Sequence, residues 1–216
     1  MALVFDPVGM KGWTSGVVSV LDNSIAGCAK RFDSKAKELV VGHVWEGSAA
    51  KENYKNLQEA HNNFIKMMNS FGDAYAEGMN KAREAIENLE ITNLGTSTNV
   101  GSMGTVDFAA MAEMEEASTN TDRVVYDYDT ITGIASDLKA IKDDLEQACT
   151  DLLTKLGELG SDDNWNGEAA NSAKEAMEDA IKSCKPDLMA SLELCITNVD
   201  TAAKNAASAD TPYTAA

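Results

Sequence analysis

Apolar residues over the first forty positions fall into a single stripe. Met10, Trp13, Val17, Val20/Leu21, Ile25, Cys28, Phe32, Ala36 and Leu39 recur at steps of three and four, the spacing that lines one face of an α-helix. Asp6-Pro7 supplies an N-cap followed by proline at the first helical position. Gly42 predicts the stop, because a residue without Cβ enters the left-handed C-cap conformation cheaply. A second helical pattern starts near Ser48 and runs through Leu57, Phe64, Met67/Met68, Phe71, Tyr75, Met79, Ile86 and Leu89. A third, of heptad character, uses Val124, Tyr128, Ile131, Ile134, Leu138, Ile141, Leu145, Leu152, Leu156 and Leu159. The last runs through Met177, Ile181, Leu188, Leu192, Ile196 and Val199, and Pro186 within it predicts a kink or local interruption. The small polar residues after about Ala207 predict a fraying tail.

The second half restates the first. Val44-Trp45-Glu46-Gly47-Ser48-Ala49-Ala50 and Asn164-Trp165-Asn166-Gly167-Glu168-Ala169-Ala170 each place Trp-Xaa-Gly between two helical patterns. With only three Trp and 15 Gly in 216 residues, chance is a poor explanation for both. The flanking stripes also superpose: Leu21 meets Ile141, Ile25 meets Leu145, Phe32 meets Leu152, Ala36 meets Leu156 and Leu39 meets Leu159. Beyond the turn, Leu57 meets Met177 and Ala60 meets Ala180. A fixed-period self-match of this kind defines a tandem repeat. The expected fold is all-α, a four-helix bundle of two antiparallel helix-turn-helix hairpins.

Three segments follow: a first hairpin over 1–91, a linker over 92–122, and a second hairpin with a flexible tail over 123–216. Thr92 to Gly104 is rich in Gly, Ser, Thr and Asn, and Val106 to Ser118 reads as a short amphipathic helix capped by Asp107. Ser118 to Asp122 restarts the chain. A helix of some 40 residues is roughly 60 Å long, and a partly helical linker of about 30 residues spans that distance. A plain up-down-up-down bundle needs only a few residues between neighbours. The long crossover favours hairpins related by a pseudo-two-fold axis, with the Trp turns at opposite ends. It also permits hairpin exchange between two chains.

Charge narrows the partners. Residues 1–90 carry 10 Lys+Arg and 12 Asp+Glu, or −2, which leaves 8 and 23, or −15, for residues 91–216 of a chain whose net charge is −17. Nucleic-acid binding needs a basic face that this chain lacks. No apolar run approaches a membrane span, and the N-terminus lacks the features of a cleaved signal peptide. Cys28, Cys149, Cys184 and Cys195 have no C-x-x-C spacing and read as small apolar helix residues in a reducing compartment. His43 and His61 read as solvated or locally capping side chains. Asp143, Asp144, Glu146, Asp162 and Asp163 read as solvated helix-face and loop charges, without the spacing of a calcium loop. No phosphate cradle or nucleophile-base arrangement is signalled, so neither an enzyme nor a cofactor is expected.

Helix, Trp-Xaa-Gly turn, helix, in a unit of about a hundred residues, resembles the WXG (ESAT-like) family of type VII secretion substrates. Members of that family pair as antiparallel dimers of helical hairpins, and here two such partners look fused over about 6–90 and 123–208. The resemblance carries over Trp45 and Gly47 from the first copy, and Trp165 and Gly167 from the second. Gly allows the tight reversal between helices. Two roles for Trp stay open: an apolar plate that locks the turn, or an exposed edge read by the secretion machinery. Many members also carry a Tyr-Xaa-Xaa-Xaa-Asp/Glu export signal. Here Gln58, Met79, Thr130 and Thr132 stand four residues after Tyr54, Tyr75, Tyr126 and Tyr128, and Tyr213 is too near the end, so that signal is missing.

The resemblance implies a non-enzymatic substrate or secreted virulence/interaction protein of a type VII (ESX-like) system, acting by protein-protein recognition. Its partner would be the secretion ATPase, or a secreted toxin or WXG-like protein. Expected properties are synthesis in the bacterial cytoplasm, secretion without a cleaved signal peptide, no membrane insertion, and a monomer that forms an intramolecular pseudo-dimer. The alternative is a cytosolic targeting chaperone or adaptor for a secreted toxin. A structural helical module unconnected with secretion is a third class.

Overall fold

The computed structural model describes residues 6–41, 43–94, 125–160 and 165–209. The expected Gly42 stop, the linker helix over 106–118, the restart at 118–122 and the end of the tail lie outside the described residues. Among the described residues the fold is all-α apart from a two-stranded pair and a bridge residue at Trp165. Helix α1 (Pro7–Ser19) continues through a π-helical segment (Val20–Ile25) into α2 (Ala26–Val41). Strand β1 (Trp45–Glu46) precedes α3 (Ser48–Leu94), and β2 (Val125–Tyr126) precedes α4 (Tyr128–Gly157) and α5 (Glu168–Ala209). Helix α3 thus continues past the expected linker start at Thr92. Helix α5 passes through the exposed Pro186 without a break, so the local interruption expected as the alternative to a kink does not occur. Buried Cys184 and Leu188 flank the proline and anchor the helix on both sides of the lost N–H.

The predicted stripes are the buried faces. From Met10 to Leu39 every stripe residue except the half-buried Val20 is buried, as are Leu57 to Tyr75, Ile131 to Leu159 and Met177 to Val199 of the others. Tyr128 is a correction: at 46% exposed it lies off the seam assigned to it. Asp127 caps α4 instead, accepting from the Thr130 backbone N–H at 3.2 Å and the Thr130 hydroxyl at 2.8 Å, which places Tyr128 in the open first turn.

The π segment has a specific cause. From the segment onward the two copies share buried positions at a shift of 120 (21 to 141, 39 to 159, 45 to 165, 75 to 195). Before it the shift is 121: Met10, Trp13, Thr14 and Val17 match Ile131, Ile134, Ala135 and Leu138. The helix starts agree, since the Asp6 and Asp127 carbonyls accept from Met10 at 2.9 Å and Ile131 at 3.0 Å. The first copy therefore carries one extra residue between Val17 and Leu21. A π turn is the way an α-helix absorbs a single inserted residue. The backbone N–H of Ala26 accordingly reaches back five residues to the Leu21 carbonyl. Without it, the steps Trp13, Val17, Leu21 and Ile25 would overrun the 3.6-residue turn by about a third of a turn. The wider π turn keeps all four buried.

Two compact units emerge, and each draws on both hairpins. One comprises Met1–Ala26, Lys66–Ala110 and Gln147–Lys185. Its core holds Trp13 stacked on Tyr75 at 6.5 Å, Tyr75 on Phe71 at 6.3 Å, and the Tyr75 hydroxyl donating to Thr14 Oγ1 at 3.2 Å. The other comprises Gly27–Ile65, Met111–Glu146 and Pro186–Ala216. Its core includes Phe32 against Phe64 at 5.6 Å, and the Trp45 turn belongs to it. The Trp165 turn belongs to the first unit.

Candidate recognition site

The two Trp-Xaa-Gly turns share their local construction. Gly47 has φ 126° and Gly167 has φ 113°, a region that a Cβ makes costly. Each glycine carbonyl then accepts the first helical bond at 3.1 Å, from Lys51 and from Asn171. The middle residues Glu46 and Asn166 are buried polar groups. Trp45 is 6% exposed and Trp165 2%, so both are packed into their turns, with only a small part of Trp45 left at the surface.

The Trp45 turn is closed from far along the chain. Strand β1 pairs antiparallel with β2, matching Trp45 with Tyr126 and Glu46 with Val125. The Asp127 N–H adds a bond to the Val44 carbonyl at 2.8 Å, and the rings of Trp45 and Tyr126 meet edge to face at 6.2 Å. Sequence reasoning missed this strand pair. Its available signal was the β-branched and aromatic run Val124-Val125-Tyr126 ahead of a capping Asp. In the other unit, the Gly160 N–H donates to the Trp165 carbonyl at 3.0 Å, and a hollow of about 640 Å³ opens beside Gly160, Gly167, Asn171 and Ser172.

The histidines differ from each other. His43 is 59% exposed, as expected, takes φ 56°, and places Nδ1 2.6 Å from Oε1 of the buried Glu46. His61 is a correction: it is 2% exposed, with Nδ1 2.7 Å from Asp33 Oδ1. A polar ring enters the core because that carboxylate meets it there. Burial raises the Asp33 carboxyl above its ordinary value, an effect that the His61 hydrogen bond opposes. The other ring nitrogen, His61 Nε2, is buried and has no hydrogen-bond partner among the described residues. The four cysteines are buried thiols. Asp143, Asp144 and Glu146 are exposed, and Asp144 pairs with Arg31 at 2.9 Å.

Beside Trp45 lies a groove of about 330 Å³ between α3 and α5, lined by Trp45, Glu52, Asn53, Asn56, Asn198 and Thr201 among others. Asn53 is 3% exposed, and neither its Oδ1 nor its Nδ2 has a hydrogen-bond partner. The hydroxyl of Tyr126, whose ring meets that of Trp45, is likewise buried and unpartnered. Burial, with a smaller contribution from Tyr128, pushes the Tyr126 phenol up to about 12. Among the described residues no three His, Cys, Asp or Glu side chains converge as a metal site, and no helix is long and apolar enough to cross a membrane. The local chemistry is hydrogen bonding by neutral amides beside an indole. No protein-family model matches the chain, nor does any curated protein or solved structure match it significantly.

Proposed function

We infer that the chain is a non-enzymatic interaction protein of a type VII (ESX-like) secretion system, a substrate or secreted factor that works by protein-protein recognition. The observation that carries this reading is the duplicated burial register, which runs from helix start through a buried Trp-Xaa-Gly turn into the following helix in both copies. In this reading the two hairpins pack antiparallel into one four-helix bundle, a covalent form of the family's dimer. The chain is then a monomer, because each hairpin has its mate tethered at high effective concentration. Recognition is by the secretion ATPase, or by a secreted toxin or WXG-like partner. Deleting the secretion locus of the producing bacterium tests it: the protein should vanish from the culture supernatant and persist in the cells. Unchanged supernatant levels overturn export.

One observation favours a second reading. Tyr54, Tyr75, Tyr126 and Tyr128 are followed four residues later by Gln58, Met79, Thr130 and Thr132, so none of these four forms the family's export signal. A cytosolic targeting chaperone for a secreted toxin needs no such signal, and would hold its client along a bundle face. Stoichiometric co-purification with a toxin, together with absence from the supernatant, selects this alternative.

A further inference from the structure

We propose that the groove beside Trp45 binds an extended peptide segment of a protein partner, with the Asn53 side-chain amide bonded to one main-chain peptide group. The inference rests on the protein-recognition reading above and names the chemistry that this face would select. A buried amide with both ends unpaired is costly to keep, and buried polar side chains otherwise find partners. Asn53 has none and lines an open groove, with its two amide atoms just beneath the groove surface, so a side-chain rotation brings them to a ligand there.

Comparison of the two copies shows that the opening is not forced by the fold. Asn53 and Asn198 of the groove correspond, at the shift of 120, to Ala173 and Gly78. In their unit those residues pack tightly: a Cβ added at Gly78 would lie 3.0 Å from the Ala173 Cβ. One pair of small residues closes the helix contact, and the matching pair of asparagines leaves a groove and an unpaired amide.

The lining chooses the ligand. A primary amide offers an acceptor and donors side by side, the complement of a peptide group's N–H and C=O. Asn56, Asn198 and Thr201 add neutral hydrogen-bonding groups, and the Trp45 ring supplies apolar surface. Among the described lining residues Glu52 alone is ionisable, and its acidity disfavours an anionic ligand. A purely apolar ligand would leave Asn53 unpaired. At about 330 Å³ the groove sits at the small end of ligand cavities, suited to a short segment rather than a folded surface.

The test pans a phage-displayed library of random heptapeptides on the full chain, with the Asn53→Ala chain as counter-target. Alanine is the residue that the second copy carries at this position, so the variant should fold, and far-UV circular dichroism checks it. Asn53→Asp provides a second variant of nearly the same shape without the amide donors. Recovered peptides should bind the wild-type chain about tenfold or more tighter than either variant, the scale of one well-placed hydrogen bond. Methylating one backbone nitrogen of the peptide should abolish that binding. The proposal is overturned if no peptide is enriched, if enriched peptides bind Asn53→Ala equally well, or if every backbone nitrogen tolerates methylation. It is also overturned if a glycan array, rather than peptide, gives the Asn53-dependent binding. The assay uses purified chain, so its outcome is independent of export. Peptide binding without export sinks only the secretion reading, and export without peptide binding sinks only the groove.

Discussion

The indole Nε1–H of Trp13 donates to the backbone carbonyl of Lys155 at 2.7 Å, joining the first turns of α1 to the last turn of α4. Carbonyls in a final helical turn have no helical donor, so a side chain from elsewhere completes the helix end. The same oxygen also accepts from the Glu158 N–H at 3.2 Å. A tryptophan that the stripe alone marks as core thus serves as a distant C-cap. Trp13→Phe should cost about 1–2 kcal/mol through the lost hydrogen bond, and Trp13→Ala about 3–5 kcal/mol through the cavity as well. Urea unfolding measures both, and a wild-type midpoint for Trp13→Phe would show the bond to be neutral.

Glycine substitutions should separate by backbone conformation. Gly47→Ala and Gly167→Ala force a Cβ into positive φ and should each cost about 1–3 kcal/mol. Gly133→Ala, in α4 with open space around it, should instead stabilise by up to about 1 kcal/mol. Thermal melts of the three variants give the comparison, and equal shifts would refute the assignment of strain to the turns.

Close approach limits Gly78 in another way. Its added Cβ would press on Ala173, whose Cβ is fixed to the α5 backbone and cannot swing away. Gly78→Ala should therefore destabilise despite the better helix propensity, and Ala173→Gly should relieve it. A double-mutant cycle that adds without coupling energy would contradict this contact.

Thiol chemistry offers a probe of packing. All four cysteines are buried, and burial pushes Cys195 up to about 12 and raises Cys28 as well. The reactive species is the thiolate. Native protein at pH 8 should leave an aromatic disulfide reagent unreacted, and four thiols should titrate in guanidinium. Rapid labelling of the folded chain would mean that the core opens locally.

Tyr126 predicts an alkaline effect of known sign. Its folded pKa of about 12 exceeds that of an exposed phenol. Stability is therefore unaffected below about pH 10 and falls as pH rises from there to about 12, where the unfolded chain binds fewer protons. Tyr126→Phe should flatten that fall and be neutral or stabilising at pH 7, since the hydroxyl has no partner. A loss of more than about 1 kcal/mol at pH 7 would show that the hydroxyl is bonded after all.

Most helices and their buried faces were legible because the signal is local. Met10 to Leu39 could be assigned one face from spacing alone, and all but Val20 are buried. The π segment was not legible: a match at 120 looked continuous, and the extra residue appears only when buried positions upstream register at 121. Tyr128 was misplaced because a heptad seam can be extended one turn too far, until a cap such as Asp127 fixes where the helix starts. His61 looked like a surface residue since its partner Asp33 lies on a different helix. The candidate site was legible in part. Trp45, Gly47, Trp165 and Gly167 mark the turns, whereas Asn53 and Tyr126 carry no local mark.

The sequence by itself determined the all-α class, the repeat and the two turns, because helical period and glycine's freedom at positive φ are properties of the chain's near neighbours. Only the tertiary structure decided that Trp45 meets Tyr126, that Trp13 caps Lys155, and that Asn53 stands unpaired while Ala173 is packed shut. Those outcomes depend on which stripes face each other over large separations along the chain. Similar apolar stripes can satisfy the hydrophobic effect in more than one pairing, so hydrogen-bond geometry and close contacts in the folded chain select among them.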